Sequence, residues 1–355
     1  MRIAQVAPLC ESVPPRLYGG TERVVAYLTE ALVQAGHDVT LFASADSMTQ
    51  AKLVPCCAQA LRLSGIHDAN PSHVLMLERV LQRAEQFDVI HFHIDSLPLP
   101  FARRMVTPSL LTMHGRLDLP ELPALFAEFD DVPIVSISDA QREPLPSCGW
   151  SGTVYHGLPG DLHPFTATPQ DYVAFIGRLS REKRVDRAVE IARRVGLPLK
   201  IAAKVDPSDR SYYETEVVPL LELPGVEYIG EIGEADKAEF LGNARALVFP
   251  IDWPEPFGLV MIEAFACGTP VVAFRCGSVP EVIDDGTSGF IVDDIDGAVD
   301  ALARIDTLDR RRVRGAFEQR FTATRMANDY VALYEQLVRG EAARSNTGEW
   351  PQAVA

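Results

Sequence analysis

The sequence is poor in positive charge: 33 Lys and Arg stand against 49 Asp and Glu, a formal net charge of −16. Phosphate backbones repel such a chain, which argues against general nucleic-acid binding and weakens any electrostatic docking on anionic lipid. No stretch approaches the ~20 consecutive apolar residues of a membrane helix. The opening residues 1–6 are too short and too interrupted for a signal peptide, and read as a first strand. The six cysteines (Cys10, Cys56, Cys57, Cys148, Cys267 and Cys276) include no C-x-x-C pair and no histidine at zinc-ligand spacing. Reduced thiols in a cytoplasmic protein are expected. No G-x-G-x-x-G fingerprint falls at a strand–helix junction, which argues against a dehydrogenase. The one Asp-x-Asp pattern to weigh, Asp294-Ile295-Asp296, lies late in the chain and reads as a solvated turn, so no metal site is expected.

What is present is a chain of 355 residues, 47% apolar and 23% charged, a size suited to two domains of ~150–180 residues. Short β-branched runs alternate with helical patterns. Candidate strands cover residues 2–7, 38–43, 88–92, 109–113, 133–137 and 153–155. Between the first two, Val24, Val25, Leu28, Ala31 and Leu32 repeat at helical spacing and Gly36 closes the helix. After a Pro- and Gly-bearing stretch at 157–169 the pattern restarts, with candidate strands at 172–176, 199–203, 226–229, 246–250 and 270–274. Helical patterns at 185–194, 212–221, 235–243 and 257–266 separate them. This alternation predicts an α/β protein of two doubly wound parallel sheets, facing across a cleft suited to a small molecule. The expected divisions are residues 1–164, residues 165–323, a helix at 324–339 that returns to the first domain, and a flexible tail at 340–355.

The most informative stretch runs from Pro254 to Glu263. Pro256 is placed to open a helix, and Gly258 leaves first-turn N–H groups accessible, a ready anion site suited to a diphosphate. Glu263 then lies about two turns in, roughly 9–12 Å from Glu255 at ~1.5 Å per residue. That is too far for two carboxylates flanking one glycosidic bond in the retaining-hydrolase manner. It suits a ligand with hydroxyls at both ends and a diphosphate between them. Both carboxylates could instead be solvated, but Glu263 sits in an apolar run where an unpaired charge is costly.

A second stretch follows a candidate strand: Gly177-Arg178-Leu179-Ser180-Arg181-Glu182-Lys183-Arg184. Five of the ten residues from Arg178 to Arg187 are basic and two acidic, a local excess able to neutralise a diphosphate. Arg178 and Lys183 are the functional candidates; Arg184 and Arg187 read as a solvated face. Tyr18-Gly19-Gly20-Thr21-Glu22 opens the first helix and permits close backbone approach, although a plain turn would read the same way. His91 and His93, and His114 before Gly115, lie at strand ends. His91 reads as a satisfied core histidine and His114 as the site candidate.

At these residues the chain resembles the retaining glycosyltransferases of family 4, which have the two-domain GT-B fold. The resemblance covers nearly everything from Arg2 to about Val338. It is carried by Gly19-Gly20, Gly36-His37-Asp38-Val39, residues 88–93, Gly177-Arg178-Leu179 with Lys183, and two glutamates separated by seven residues, Glu255 and Glu263. Ala266-Cys267-Gly268-Thr269-Pro270, Gly277-Ser278-Val279-Pro280-Glu281 and Gly289-Phe290 extend it. The resemblance implies a nucleotide-sugar donor held by the second domain and a small-molecule or glycan acceptor held by the first, through loops such as 9–17 and 96–101. It also implies retention of configuration by front-face attack, and neither cofactor nor metal. By that analogy Glu263 holds the ribose hydroxyls and Glu255 the donor sugar, while Arg178 and Lys183 hold the diphosphate. Backbone groups at Phe257, Gly258, Leu259, Gly19 and Gly20 assist, His114 contacts the transferred sugar and Ile232 lies near the base.

Two departures stand out. Ala203-Lys204-Val205-Asp206-Pro207 replaces a Gly-rich segment, which makes Lys204 a further donor contact. His156-Gly157 stands where Asn-Gly is usual. The residues 229–234 and 252–258 are similar to bacterial glucosyltransferases that use UDP-glucose, with GDP-mannose the alternative donor. Rival readings are a nucleotide-sugar epimerase of the same architecture and a non-catalytic nucleotide-sugar binder.

Overall fold

The computed structural model describes residues 1–16, 19–66 and 68–345, and the chain divides into two compact units. Tyr18 and residues 346–355 of the expected tail lie outside the described residues. The first unit comprises residues 1–137, 144–154 and 324 onward; the second comprises 138–143 and 155–323. The expected break at 164/165 thus falls inside the second unit. Gly157 belongs there because its backbone runs against that of Thr322, where a Cβ would overlap the Thr322 carbonyl. Residues 340–345, expected as tail, continue the helix Ala323–Ser345.

The first unit holds seven parallel strands: β1 (Arg2–Val6), β2 (Asp38–Ser44), β3 (Lys52–Cys57), β4 (Val89–Phe92), β5 (Ser109–Thr112), β6 (Ile134–Ser136) and β7 (Trp150–Thr153). Their order is β3-β2-β1-β4-β5-β6-β7. The sequence pattern missed β3, an edge strand carrying Lys52 and Pro55 and only partly buried. The helix Gly20–Gln34 buries the expected Val24, Val25, Leu28, Ala31 and Leu32.

One face of the sheet is apolar, with Ala4, Val6, Ile90, Phe92 and Leu111 in a single core. The alternate positions Gln5, His91 and Thr112 point to the other face. They meet Tyr330 and Tyr334 of the C-terminal helix through buried hydrogen bonds.

The second unit holds six parallel strands: β8 (Val173–Arg178), β9 (Leu199–Lys204), β10 (Val226–Gly230), β11 (Ala246–Phe249), β12 (Val271–Phe274) and β13 (Gly289–Val292), in the order β10-β9-β8-β11-β12-β13. The helix Val185–Val195 packs Val185, Ala188, Val189, Ile191 and Ala192 onto it. In each sheet the order reverses once, between β1 and β4 and between β8 and β11. Loops leaving the carboxyl ends of such a strand pair diverge to opposite faces and leave a crevice between them. In the second unit those two loops are the basic stretch and the stretch carrying Glu255.

Among the described residues, no helix is long and apolar enough to cross a membrane.

Candidate active site

In the second unit the loops after β8 and β11 are tied together. The Asp252 amide donates to the Glu182 carbonyl at 2.8 Å. The Asp252 carboxylate accepts from Arg184 at 2.8 Å and Arg187 at 3.1 Å. Arg187 also stacks over Phe274, 5.0 Å from the ring centre. The expectation of a solvated face at Arg184 and Arg187 is therefore corrected: both guanidiniums are spent on this seam.

Across the seam Lys183 pairs with Glu255, their side chains only 18% and 12% exposed. Trp253 Nε1 donates to the same carboxylate oxygen, Oε2, at 3.0 Å. The Lys183 ammonium lies 5.0 Å over the Trp253 ring, so cation–π attraction and the ion pair hold it in one place. The pairing of Lys183 with Glu255 was not foreseen, because 72 residues separate them; nor was the part played by Trp253.

Arg178 ends β8 and Lys204 ends β9, and the two are register partners. Arg178 pairs with Glu182, and with Asp209 at 3.3 Å; Lys204 lies 3.9 Å from Asp206. Three cations therefore gather at adjacent strand ends, each beside a carboxylate.

The helix after β11 begins at Leu259, not at Pro256, because Gly258 takes φ +80 and interrupts the helical path. Glu263 accordingly sits one turn into the helix rather than two. The Phe257 side chain is core, packed on Tyr155, His156 and Phe321. This leaves its backbone as the part able to meet a ligand. Ile232 is half-buried in the loop before the helix Glu234–Gly242.

Gly277 adopts φ +54 against Glu255, where a Cβ would come within 2.5 Å of the Glu255 carbonyl oxygen. Gly277→Ala must therefore displace the loop that holds Glu255. We expect about a 100-fold loss of turnover, the scale set by misplacing a reacting group by about 1 Å. Steady-state kinetics alongside a melting curve checks this; unchanged kcat would show that the loop tolerates the shift.

Glu263 is buried and pairs with Lys237 at 2.6 Å; Glu234 lies 3.4 Å from the same ammonium and 3.2 Å from His163. His163, Glu234 and Glu263 are close enough to share a metal ion. A lysine ammonium between the two carboxylates supplies the positive charge that an ion would bring. The sequence pattern identified none of His163, Glu234 and Lys237, which reach Glu263 only through tertiary folding.

Asp294 caps the helix Ile295–Ala303, accepting from the Gly297 amide at 2.8 Å, and Asp296 pairs with Arg194.

In the first unit Gly19 precedes the helix Gly20–Gln34, with Glu22 buried in its first turn. Burial raises the Glu22 carboxyl above its usual range. His114 follows β5. Its backbone N–H is held by the Asp95 carboxylate, and its Nε2 faces His93 Nδ1 at 2.9 Å. His91 lies in the core with Nδ1 on Tyr334 and Nε2 on Thr112.

Burial pushes His114 down to about 3 and His91 well below the ordinary imidazole value. Both rings are thus neutral when folded, and on unfolding they titrate near 6.5. Their contribution to stability is complete above that value and is lost as pH falls toward the depressed folded values. At pH 5 the loss for His114 is about 2 kcal/mol, and His91 acts in the same direction. The melting temperature should therefore drop between pH 7.5 and pH 5, and a flat profile would contradict the buried neutral state.

Comparison with known proteins bears on the family and the fold. The profile described as "Glycosyl transferases group 1" matches residues 164–314, and that described as "Glycosyltransferase Family 4" matches residues 18–134. A phosphatidyl-myo-inositol mannosyltransferase of Mycolicibacterium smegmatis is 27% identical, over 96% of this chain and 93% of its own. Among solved structures, the sucrose-phosphate synthase of Thermosynechococcus elongatus is similar with TM-score 0.78 and 20% identity, covering 96% of this chain and 100% of that one. An Anabaena protein, HepE, solved in complex with UDP and glucose, is similar with TM-score 0.70 and 16% identity, covering 95% and 100%. At such identities the structural likeness establishes the fold.

Proposed function

Because the chain belongs to the family 4-like glycosyltransferases of GT-B fold, we propose that it moves a hexose from a nucleotide sugar to a hydroxyl acceptor. UDP-glucose is the donor we favour. Transfer retains the anomeric configuration and needs no metal.

The observation that carries this reading is the Lys183–Glu255 pair on Trp253 at the β8/β11 reversal. Both hydrogen bonds to Glu255 fall on Oε2, which leaves Oε1 to accept from a hydroxyl of the donor sugar. Lys183, Arg178 and Lys204 then meet the diphosphate, together with the N–H groups opening the helix Leu259–Cys267. As the glycosidic bond breaks, negative charge builds on the departing diphosphate. Cations already held in position stabilise that charge without reorganising. Glu263 takes the ribose hydroxyls, the base lies by Ile232, and His114 meets the transferred sugar. The diphosphate oxygen accepts the acceptor's proton. The bound UDP and glucose of the HepE structure support UDP-glucose; the mannosyltransferase relative makes GDP-mannose the competitor.

Incubation with UDP-glucose alone tests the class. Slow release of UDP and α-glucose is expected; an isomerised nucleotide sugar would indicate an epimerase, and binding without turnover a non-catalytic binder. A thermal-shift panel that includes GDP-mannose tests the donor. At a hundredfold excess over Kd the true donor stabilises by about 2.7 kcal/mol. A larger shift with GDP-mannose than with UDP-glucose would overturn the choice.

A further inference from the structure

We propose that Ser278 is a positioning residue that aims the Gly258 N–H at the diphosphate by holding the carbonyls of Glu255 and Phe257. Its bearing on transfer rests on the place given above to the diphosphate, at the start of the helix Leu259–Cys267.

Ser278 stands behind the loop that carries Glu255. Its N–H donates to the Glu255 carbonyl at 3.0 Å, and its hydroxyl donates to the Phe257 carbonyl at 2.8 Å. A carbonyl can only accept, so neither bond can reverse its direction. Gly277 lets the two loops touch, since a Cβ there would overlap the Glu255 backbone. Ser278 has no solvent exposure, which keeps water from competing for either bond.

The hydroxyl is not used as a serine in this position ordinarily uses it. Ser278 caps the short helix Val279–Val282, where a serine side chain commonly accepts from an amide of the first turn. Here the side chain makes no such bond. The Ser278 carbonyl holds that helix instead, accepting from Glu281 at 2.9 Å and Val282 at 3.0 Å. Its N–H and its hydroxyl are both turned to the neighbouring loop.

The consequence follows from peptide planarity. In the trans peptide between Phe257 and Gly258, the carbonyl and the N–H point in opposite directions. Fixing the Phe257 carbonyl on Ser278 therefore turns the Gly258 N–H away from Ser278. Gly258 is partly exposed, and its N–H meets no acceptor among the described residues. The peptide between Glu255 and Pro256 has no N–H to offer, because its nitrogen is that of proline. Holding its carbonyl instead fixes the backbone from which the Glu255 side chain reaches Lys183. One buried serine thus sets both a carboxylate and the amide donor three residues after it.

The test compares UDP with uridine, which has the same base and ribose but no phosphate, on the full chain. GDP and guanosine replace them if the donor panel selects GDP-mannose. Ser278→Ala removes the hydroxyl bond and keeps the N–H bond. It should weaken UDP about tenfold, the value of one hydrogen bond to a charged group, and lower kcat about tenfold, while uridine changes by less than about twofold. A serine that merely supported the fold would weaken both ligands alike. Thr269→Ala is the control, since it removes an equally buried hydroxyl of the same unit, one that donates to the Leu241 carbonyl at 2.7 Å. It should lower the melting temperature to a similar extent but leave the ratio of UDP to uridine affinity intact. If Ser278→Ala does not fold, amide proton–nitrogen spectra of the wild type decide. The Gly258 amide proton should move downfield with UDP and stay in place with uridine.

An unchanged affinity ratio in Ser278→Ala, the same change in Thr269→Ala, or a Gly258 amide insensitive to UDP would overturn the proposal. A wild type that binds neither nucleoside diphosphate would instead remove the donor reading itself, and would show before any variant is made.

Discussion

Lys183→Ala is expected to lower kcat by about 100- to 1000-fold, the range found when one preorganised group facing a developing negative charge is removed. KM for the donor should change far less, because the charge on the diphosphate is greater in the transition state than in the bound donor. The structure sharpens this expectation. Lys183 is held by Glu255 and by the Trp253 ring rather than swinging in solvent, so its charge is already in place before the bond breaks. Lys183→Arg keeps the charge but not the compact ammonium geometry, and should recover only part of the rate. Steady-state kinetics over a range of donor concentrations separates the two parameters. Normal turnover in the alanine variant would remove Lys183 from the leaving-group role.

Glu263→Ala is expected to act twice. It should weaken donor affinity by about 10- to 100-fold, the value of one or two good hydrogen bonds to ribose. It should also destabilise the second unit, because it deprives the Lys237 ammonium of its shorter carboxylate partner in a buried setting. Breaking such a pair costs about 3 kcal/mol, and Glu234 at 3.4 Å softens rather than removes that cost. The melting temperature should fall by about 5–10 °C. Glu263→Gln retains an acceptor for Lys237 and should lie between wild type and alanine on both measures. Calorimetric titration with donor and a thermal scan give the two effects independently. Unchanged affinity would withdraw the ribose role, while an unchanged melting temperature would mean that the ion pair contributes little.

The alternation of apolar runs and helical patterns is enough to reveal two parallel α/β sheets, since the burial of the central strands on both faces is written in their own residues, whereas the partly exposed edge strand β3 carries no such signal. The basic cluster 178–187 and the Glu255–Glu263 spacing were likewise legible as local features. Residue identity could not tell which members of the basic cluster face a ligand. Arg184 and Arg187 turned out to tie two loops together through Asp252, a choice made by a residue 65 or more positions away. Pro256 is a good first helical residue and points to a helix start there, whereas the left-handed φ of Gly258 delays the helix to Leu259.

The polar positions Gln5, His91, His93 and Thr112 show the same division. Their spacing of two within apolar strands was visible, and it marks one face of a sheet. What covers that face was not, because Tyr330 and Tyr334 lie more than 200 residues further along the chain.

By itself, then, the sequence determined the fold class, the strand ends at which charge gathers, and the pair of glutamates. It could do so because period, composition and spacing are short-range properties of a chain. Only the tertiary structure decided the partners of those charges: Lys183 with Glu255, Glu263 with Lys237, His114 with His93. Ion pairs and hydrogen bonds depend on separations of a few ångströms between atoms that the chain brings together from any distance along its length.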